Sequence, residues 1–220
     1  MVTDNKEILK RLEKLERQSQ RNADYIAISN IHGRYNHLLL GHHWETIVDE
    51  MFAKKTPGVK AEIVESGVFH GLEGVKKVFI EMLGKLYNYK GNLALHELTT
   101  PVIEISKDGQ SARGMWYTWG ANTFYDPVKG TVAIWQVIKY NHIFVKEDGK
   151  WKFLDYRAYL MFRSSFDKGW VNEPVIQGST IKGTDETQPI KSDEPTSFHD
   201  PYDPTRDWGA SVPLPPEPVE

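Results

Sequence analysis

The sequence predicts an α+β fold, in which a curved antiparallel sheet carries helices packed on its concave side. Two observations lead there. Apolar residues recur at helical spacing through the first part of the chain. From Leu93 onward, long β-branched and aromatic segments alternate with short turns. Helices followed by strands sort into separate layers rather than into parallel βαβ units.

Residues 6–16 place Ile8, Leu12 and Leu15 at helical spacing among charges. That suits a short amphipathic helix, either solvated or paired with a second subunit. A second helix is expected from about Asn22 to Leu40, on Ile26, Ile28, Ile31, Tyr35, Leu38 and Leu39, with Gly41 ending it. A third spans Trp44 to Phe52 on Trp44, Ile47, Val48 and Met51. Pro57-Gly58 marks a turn, and Ala61 to Phe69 reads as one strand with Gly67 at a bulge. Gly71 to Leu86 is a fourth helix. Four strands follow: Ala94 to Ser106, Ser111 to Phe124, Gly130 to Glu147, and Trp151 to Phe162. Lys107-Asp108-Gly109, Asp126-Pro127-Val128-Lys129-Gly130 and Glu147-Asp148-Gly149 join them as hairpin turns. Beyond about Val171 the chain is rich in Pro, Asp, Thr and Ser. It is expected to be an extended tail, disordered or draped over the body or a neighbouring subunit, with Trp170, Phe198, Tyr202 and Trp208 as anchors. The division is therefore an N-terminal helix over 1–20, a main domain over 21–170 and a tail over 171–220.

The 220 residues include 27 basic and 30 acidic side chains, a formal net charge of -3. No basic excess marks a nucleic-acid binder. The chain has no cysteine, which removes disulfides, zinc–thiolate sites and cysteine nucleophiles from consideration. Apolar runs are too short to span a bilayer and the N-terminus lacks an apolar signal core, so the expected setting is cytoplasmic, with no membrane partner. Seven Trp, 10 Tyr and nine Phe suit a core or a pocket for a planar ligand.

Several phrases, taken in order, resemble the SnoaL-like branch of the nuclear transport factor two-like superfamily. They are Ile28-x-x-Ile31-x-x-x-Tyr35, His43-Trp44-Glu45 before Phe52, Gly71-Leu-Glu-Gly-Val-Lys-Lys-Val-Phe79, and Ala112-Arg113-Gly114-Met115-Trp116-Tyr117. The last is Lys139-Tyr140-x-x-x-Phe144-x-Lys146-Glu147-Asp148-Gly149-Lys150-Trp151-Lys152, whose Gly-Lys-Trp-Lys ending is the most specific. The resemblance covers about residues 20–165. It implies a cone-shaped α+β barrel with its mouth open to small apolar or aromatic substrates. It leaves the activity open, because the fold hosts dehydratases, isomerases, cyclases, lyases and non-catalytic modules.

Similarity to the scytalone and bile-acid dehydratases within that branch places their catalytic histidine at His96, five residues before Pro101. Histidine can take and return a proton at neutral pH. The same similarity aligns Tyr35 with a pocket tyrosine and Tyr140 with a polar pocket group. It also aligns their two catalytic aspartates with Leu40 and Gly120, so neither carboxylate is present. Strand alternation puts Trp151, Phe153, Asp155, Arg157 and Tyr159 on one face. Asp155 and Arg157 are then candidates to orient His96 or hold charge, or else a pair on a solvated face with Leu154, Tyr156, Ala158 and Leu160 inward. Gln136, Ile138, Tyr140 and His142 share a face of the preceding strand, with Lys139 on the other. Trp116, Thr118 and Asn122 alternate along the strand after His96, with Trp119 facing away. With Leu39, Gln136 and Phe153 they form the expected substrate-binding set.

His37, His42, His43 and His96 lack carboxylates at ligand spacing, so no metal is expected. Gly71 and Gly74 are too sparse for a phosphate loop, and no nucleotide or flavin cofactor is indicated. The expected function is a cofactor-independent lyase, a dehydratase or related elimination enzyme, acting on a hydrophobic hydroxylated aromatic or polycyclic compound. Alternatives are an isomerase of the ketosteroid type with Asp155 or Glu65 as base, a formaldehyde-releasing lyase on lignin-derived diaryl compounds, and a non-catalytic ligand-binding or dimerisation module. The expected assembly is a homodimer or homotrimer.

Overall fold

The computed structural model describes residues 5–176, 190–207, 209 and 213–219. Helix α1 (Asn5–Leu40) is one helix of 36 residues, about 54 Å long. The two helices read separately from the sequence are therefore continuous. Residues 17–21, Arg-Gln-Ser-Gln-Arg, contain no Gly or Pro, and straight-chain polar residues continue a helix readily where it meets solvent. The helix ends in a double hydrogen bond, His43 N–H to the Leu38 carbonyl (2.9 Å) and His42 N–H to the Leu39 carbonyl (3.1 Å). His42, at φ 57, takes the left-handed position that glycine usually fills. Gly41 sits one residue earlier than that position.

Helix α2 (Trp44–Met51) packs on the body through Trp44, Ile47, Val48 and Met51. The expected single strand over 61–69 is instead a tight hairpin, β1 (Lys60–Ile63) against β2 (Val68–His70). The chain reverses through Val64 (φ 47) and Gly67 (φ 84). A β-carbon at Gly67 would stand 2.3 Å from Ser192 Oγ. The next helical stretch is α3 (Gly71–Lys76), a wide π-helical turn over Lys77–Leu83, and α4 (Gly84–Leu86). Strands β3 (Ala94–Ile105), β4 (Ser111–Asp126), β5 (Gly130–Glu147) and β6 (Lys150–Ser165) make the expected hairpins, and α5 (Gly169–Asn172) follows. The sheet order is β2-β1-β6-β5-β4-β3. It is antiparallel except where β1 runs parallel to β6. Strands β2 and β3 are its two edges, so the sheet is curved but unclosed, a cone-like wall with helices on its concave side.

The helix is fixed to that wall by a buried carboxylate. Asp24 accepts from Trp151 Nε1 (2.9 Å) and pairs with Lys146 Nζ (2.7 Å), which also lies over the Trp151 ring. Burial works against ionisation of Asp24, but the hydrogen bonds from Lys146 and Trp151 prevail and lower its pKa. The Gly-Lys-Trp-Lys hairpin thus docks α1 on the sheet.

The tail is draped over the chain's own body. Val68 N–H donates to the Glu194 carbonyl, Tyr202 N–H to the Met161 carbonyl, and Val219 N–H to Glu104. Lys139 on the outer face reaches the Pro213 carbonyl. Phe198 packs on Tyr159 at 5.1 Å, and Trp170 on Phe162 at 5.1 Å. Trp208 lies outside the described residues. Among the described residues no helix is long and apolar enough to cross a membrane.

Candidate active site

The concave face of β5 presents Gln136, Ile138, Tyr140, His142 and Phe144 in unbroken alternation, all buried. Adjacent β4 presents Trp116, Thr118 and Asn122, also buried, while Trp119 faces out against Trp135. These inward faces agree with the alternation read from the sequence.

One cross-strand row organises the polar part of this interior. His96 of β3 stands opposite Gly120 of β4, Gly120 opposite Gln136 of β5, and Gln136 opposite Arg163 of β6. His96 Nδ1 lies 3.1 Å from the Tyr140 hydroxyl. Its Nε2 lies 3.1 Å from Asn122 Nδ2 and 3.5 Å from Gln136 Nε2. Arg163 Nε donates to Gln136 Oε1 at 2.6 Å, which turns the Gln136 amide N–H toward His96. His96 Nε2 is therefore the acceptor nitrogen, and Nδ1 carries the proton toward Tyr140. Burial, then the nearby Arg163 charge, lowers the His96 pKa to about 4. Asn36 of α1 holds the His96 backbone carbonyl at 3.2 Å.

Glycine at 120 makes the row possible. A β-carbon there would stand 2.9 Å from Asn122 Nδ2, 3.1 Å from the His96 ring and 3.2 Å from the Gln136 carbonyl oxygen. The amide can swing aside, but the carbonyl is fixed in the ladder. Gly120→Ala is expected to destabilise the fold by about 1–3 kcal/mol and to displace His96. Thermal unfolding and the His96 ring resonances measure the two effects.

Beneath the row lies a cage of rings. Tyr35 packs on Tyr156 at 5.2 Å, and His142 stacks on Tyr156 at 4.4 Å. His32 sits 4.4 Å from Trp116, 4.7 Å from Tyr140 and 4.8 Å from His142, ring centre to ring centre. Burial lowers the His32 pKa to about 3, with the neighbouring His96 adding to the effect, and pushes His142 well below its usual value. Burial also holds Tyr35, Tyr140 and Tyr156 above the ordinary phenol range, so they stay protonated. Arg157 N–H donates to His142 Nδ1 at 3.2 Å, so His142 Nε2 bears its proton. That nitrogen, both His32 nitrogens, Thr118 Oγ1 and Asn122 Oδ1 are buried without hydrogen bonds in the protein, while the Tyr156 hydroxyl interacts with those of Tyr35 and Tyr140. Buried polar groups in this state carry a penalty of about 1–3 kcal/mol each. His32 and Arg163 are the participants that sequence reasoning missed. His32 did fall on the α1 stripe Ile28-x-x-x-His32-x-x-Tyr35, a spacing signal that could have found it.

Asp155 and Arg157 do not orient His96, contrary to the first of the two expectations for this pair. Leu154 is an extra residue between the pairs Ile143–Asp155 and Phe144–Phe153, a bulge that turns the following residues over. Phe153 and Tyr156 both point inward as a result, and Asp155 and Arg157 point out. There Arg157 pairs with Asp155 (2.6 Å) and Glu62 (2.5 Å), and Lys60 pairs with Asp155 at 3.2 Å. Ser197 of the tail donates its backbone N–H to Glu62. Asp155→Asn is expected to lower the melting temperature while leaving any turnover within about twofold, because this cluster acts through the fold. Met161 forms a second bulge, between the pairs Val137–Phe162 and Ile138–Leu160, and returns Arg163 to the inner face. Glu65 is likewise committed, 3.2 Å from Arg163. Leu39, Trp116 and Phe153, read as substrate-binding, are 2%, 3% and 0% exposed and lie in the same buried cluster as Tyr35 and Tyr140.

Phe124, Val132, Val175 and Ile176 with Lys129, Lys168 and Glu173 line a cleft of about 440 Å³. Among the described residues, no three side chains converge as metal ligands.

Residues 20–157 match the SnoaL-like domain. The chain belongs to this family. The match starts within α1 and ends in β6, so it takes in His96, Tyr140 and the ring cage. Among solved structures, LinA is 15% identical with a TM-score of 0.57, covering 68% of this chain and 94% of its own. A hexachlorocyclohexane dehydrochlorinase of LinA type 3 from Novosphingobium barchaimii is 14% identical with a TM-score of 0.56, covering 68% and 94%. A scytalone-dehydratase-like protein from Novosphingobium aromaticivorans is 15% identical with a TM-score of 0.56, covering 68% and 91%. At such identities the likeness is one of fold. No curated protein matches the sequence.

Proposed function

We propose that this SnoaL-like chain is a cofactor-independent lyase that eliminates water, or cleaves a carbon–carbon bond, in a hydrophobic hydroxylated aromatic or polycyclic compound. The observation carrying this reading is His96, held at both ring nitrogens in an aromatic interior where the His32 nitrogens, His142 Nε2, Thr118 Oγ1 and Asn122 Oδ1 lack partners. Those groups suit the oxygen functions of a mainly apolar guest. Two fold neighbours, a dehydrochlorinase and a dehydratase-like protein, are named for eliminations.

In the dehydration, a substrate C–H takes the place of the Asn122 amide at His96 Nε2 and gives up its proton. The electron pair forms the double bond as the neighbouring C–O bond breaks. The same proton passes from His96 to the departing hydroxyl, so water leaves and the imidazole returns to its neutral form. Tyr140 and Tyr35 bind substrate oxygen as protonated phenols. An imidazole with a pKa near 4 is a weak base, and it suits a carbon acid activated by an aryl or carbonyl neighbour.

Incubation with a panel of hydroxylated aromatics, diaryl diols and steroids tests the reading by mass spectrometry. Loss of water or of formaldehyde supports it and separates the two outcomes. Tight binding with no turnover across the panel makes the chain a binding module. Isomerisation without mass loss would move it to the ketosteroid-type class.

A further inference from the structure

Helix α1 has two apolar faces. Ile28, His32, Tyr35 and Leu39 are buried against the sheet. On the opposite side of the helix, Ile8 (42% exposed), Leu12 (49%), Leu15 (61%) and Ile26 (59%) lie open. Residues 5–20 are exposed throughout, so this half of the helix projects beyond the sheet.

The outer face follows positions 8, 12, 15, 19, 22 and 26, a 4-3-4-3-4 spacing. That is the seam of a coiled coil, about 27 Å long here. Ser19 and Asn22 occupy its middle layers, small polar residues of the kind that set register. The flanking charges are self-complementary. In a parallel, in-register pair, Arg11 on one helix faces Glu16 on the other, twice over by symmetry. An antiparallel pair with the same overlap would set Glu16 against its own copy.

We propose that two copies of this chain dimerise through α1, pairing in parallel along the seam from Ile8 to Ile26. The inference is independent of the chemistry at His96. The bodies then hang on the C-terminal part of a shared rod, with each ring cage enclosed by one chain.

Light scattering on the size-exclusion peak tests it. The wild-type chain is expected at twice the monomer mass. Leu12→Glu/Leu15→Glu is expected at the monomer mass and still folded, because both side chains are exposed in the isolated chain, with a melting temperature that no longer depends on protein concentration. Since the chain has no cysteine, Ser19→Cys can form a disulfide only between copies. Parallel pairing brings the two thiols within bridging distance, so oxidation should give a covalent dimer. A monomeric wild type, a dimer that survives the double glutamate substitution, or a dimer in which Ser19→Cys fails to cross-link would each overturn the proposal.

Discussion

His96→Ala is expected to lower kcat/KM on the responsive substrate by about 10²–10⁴-fold, the range for removing a general acid–base group. The fold should survive, because His96 is only partly buried and its ring contacts are polar side chains that can reach one another. The loss should fall on kcat more than on KM, since Tyr35, Tyr140 and the ring cage still bind the substrate. Retention of full turnover by a folded His96→Ala protein would end the proposed role. Measuring the melting temperature beside the kinetics separates chemistry from stability.

Acidification from pH 7 to pH 5 is expected to destabilise the protein by about 4 kcal/mol through His32 and His96, roughly 2 kcal/mol each, with His142 acting in the same direction. All three are held below the ordinary imidazole pKa in the fold, His32 at about 3 and His96 at about 4. The unfolded chain titrates at about 6.5. Below that pH it binds protons that the folded chain refuses, so stability is full above pH 6.5 and falls toward pH 3–4. Depressed carboxylates add a separate loss at lower pH. Glu147, lowered to about 2 by the backbone N–H groups of Lys54, Lys55 and Thr56 acting against its burial, contributes only once the unfolded carboxylate begins to protonate near pH 4.5. A change of this size is a large fraction of the whole stability of many domains. Urea unfolding at pH 7 and pH 5 measures it, and His32→Phe should recover about 2 kcal/mol of it. Equal stability at the two pH values would mean that these imidazoles do not stay neutral in the fold.

Much of the site was legible because β4 and β5 keep strict alternation. Gln136, Tyr140, Asn122 and Thr118 face inward as period two requires. His96 was placed by similarity to the dehydratases, and its distinctive contacts with Tyr140 and Asn122 come from residues already on the inner-face set. The misreadings cluster on β6. Local pattern cannot reveal a bulge, because whether Leu154 and Met161 pair depends on the strand alongside. A single extra residue therefore exchanged Asp155 and Arg157 for Tyr156, and a second brought in Arg163.

By itself the sequence determined the helical first part, the four long strands with the hairpin turns between them, and the uninterrupted strands that face the interior. These depend on residue spacing and turn chemistry within a few positions of one another. The tertiary structure alone decided that α1 is continuous, that the tail lies across its own sheet, and that Arg163 rather than Asp155 reaches the His96 row. Those outcomes depend on partners far away in the chain, where packing and ladder register override local pattern. His96 keeps its place in both accounts, with Tyr140, Asn122 and Gln136 where a carboxylate had been sought.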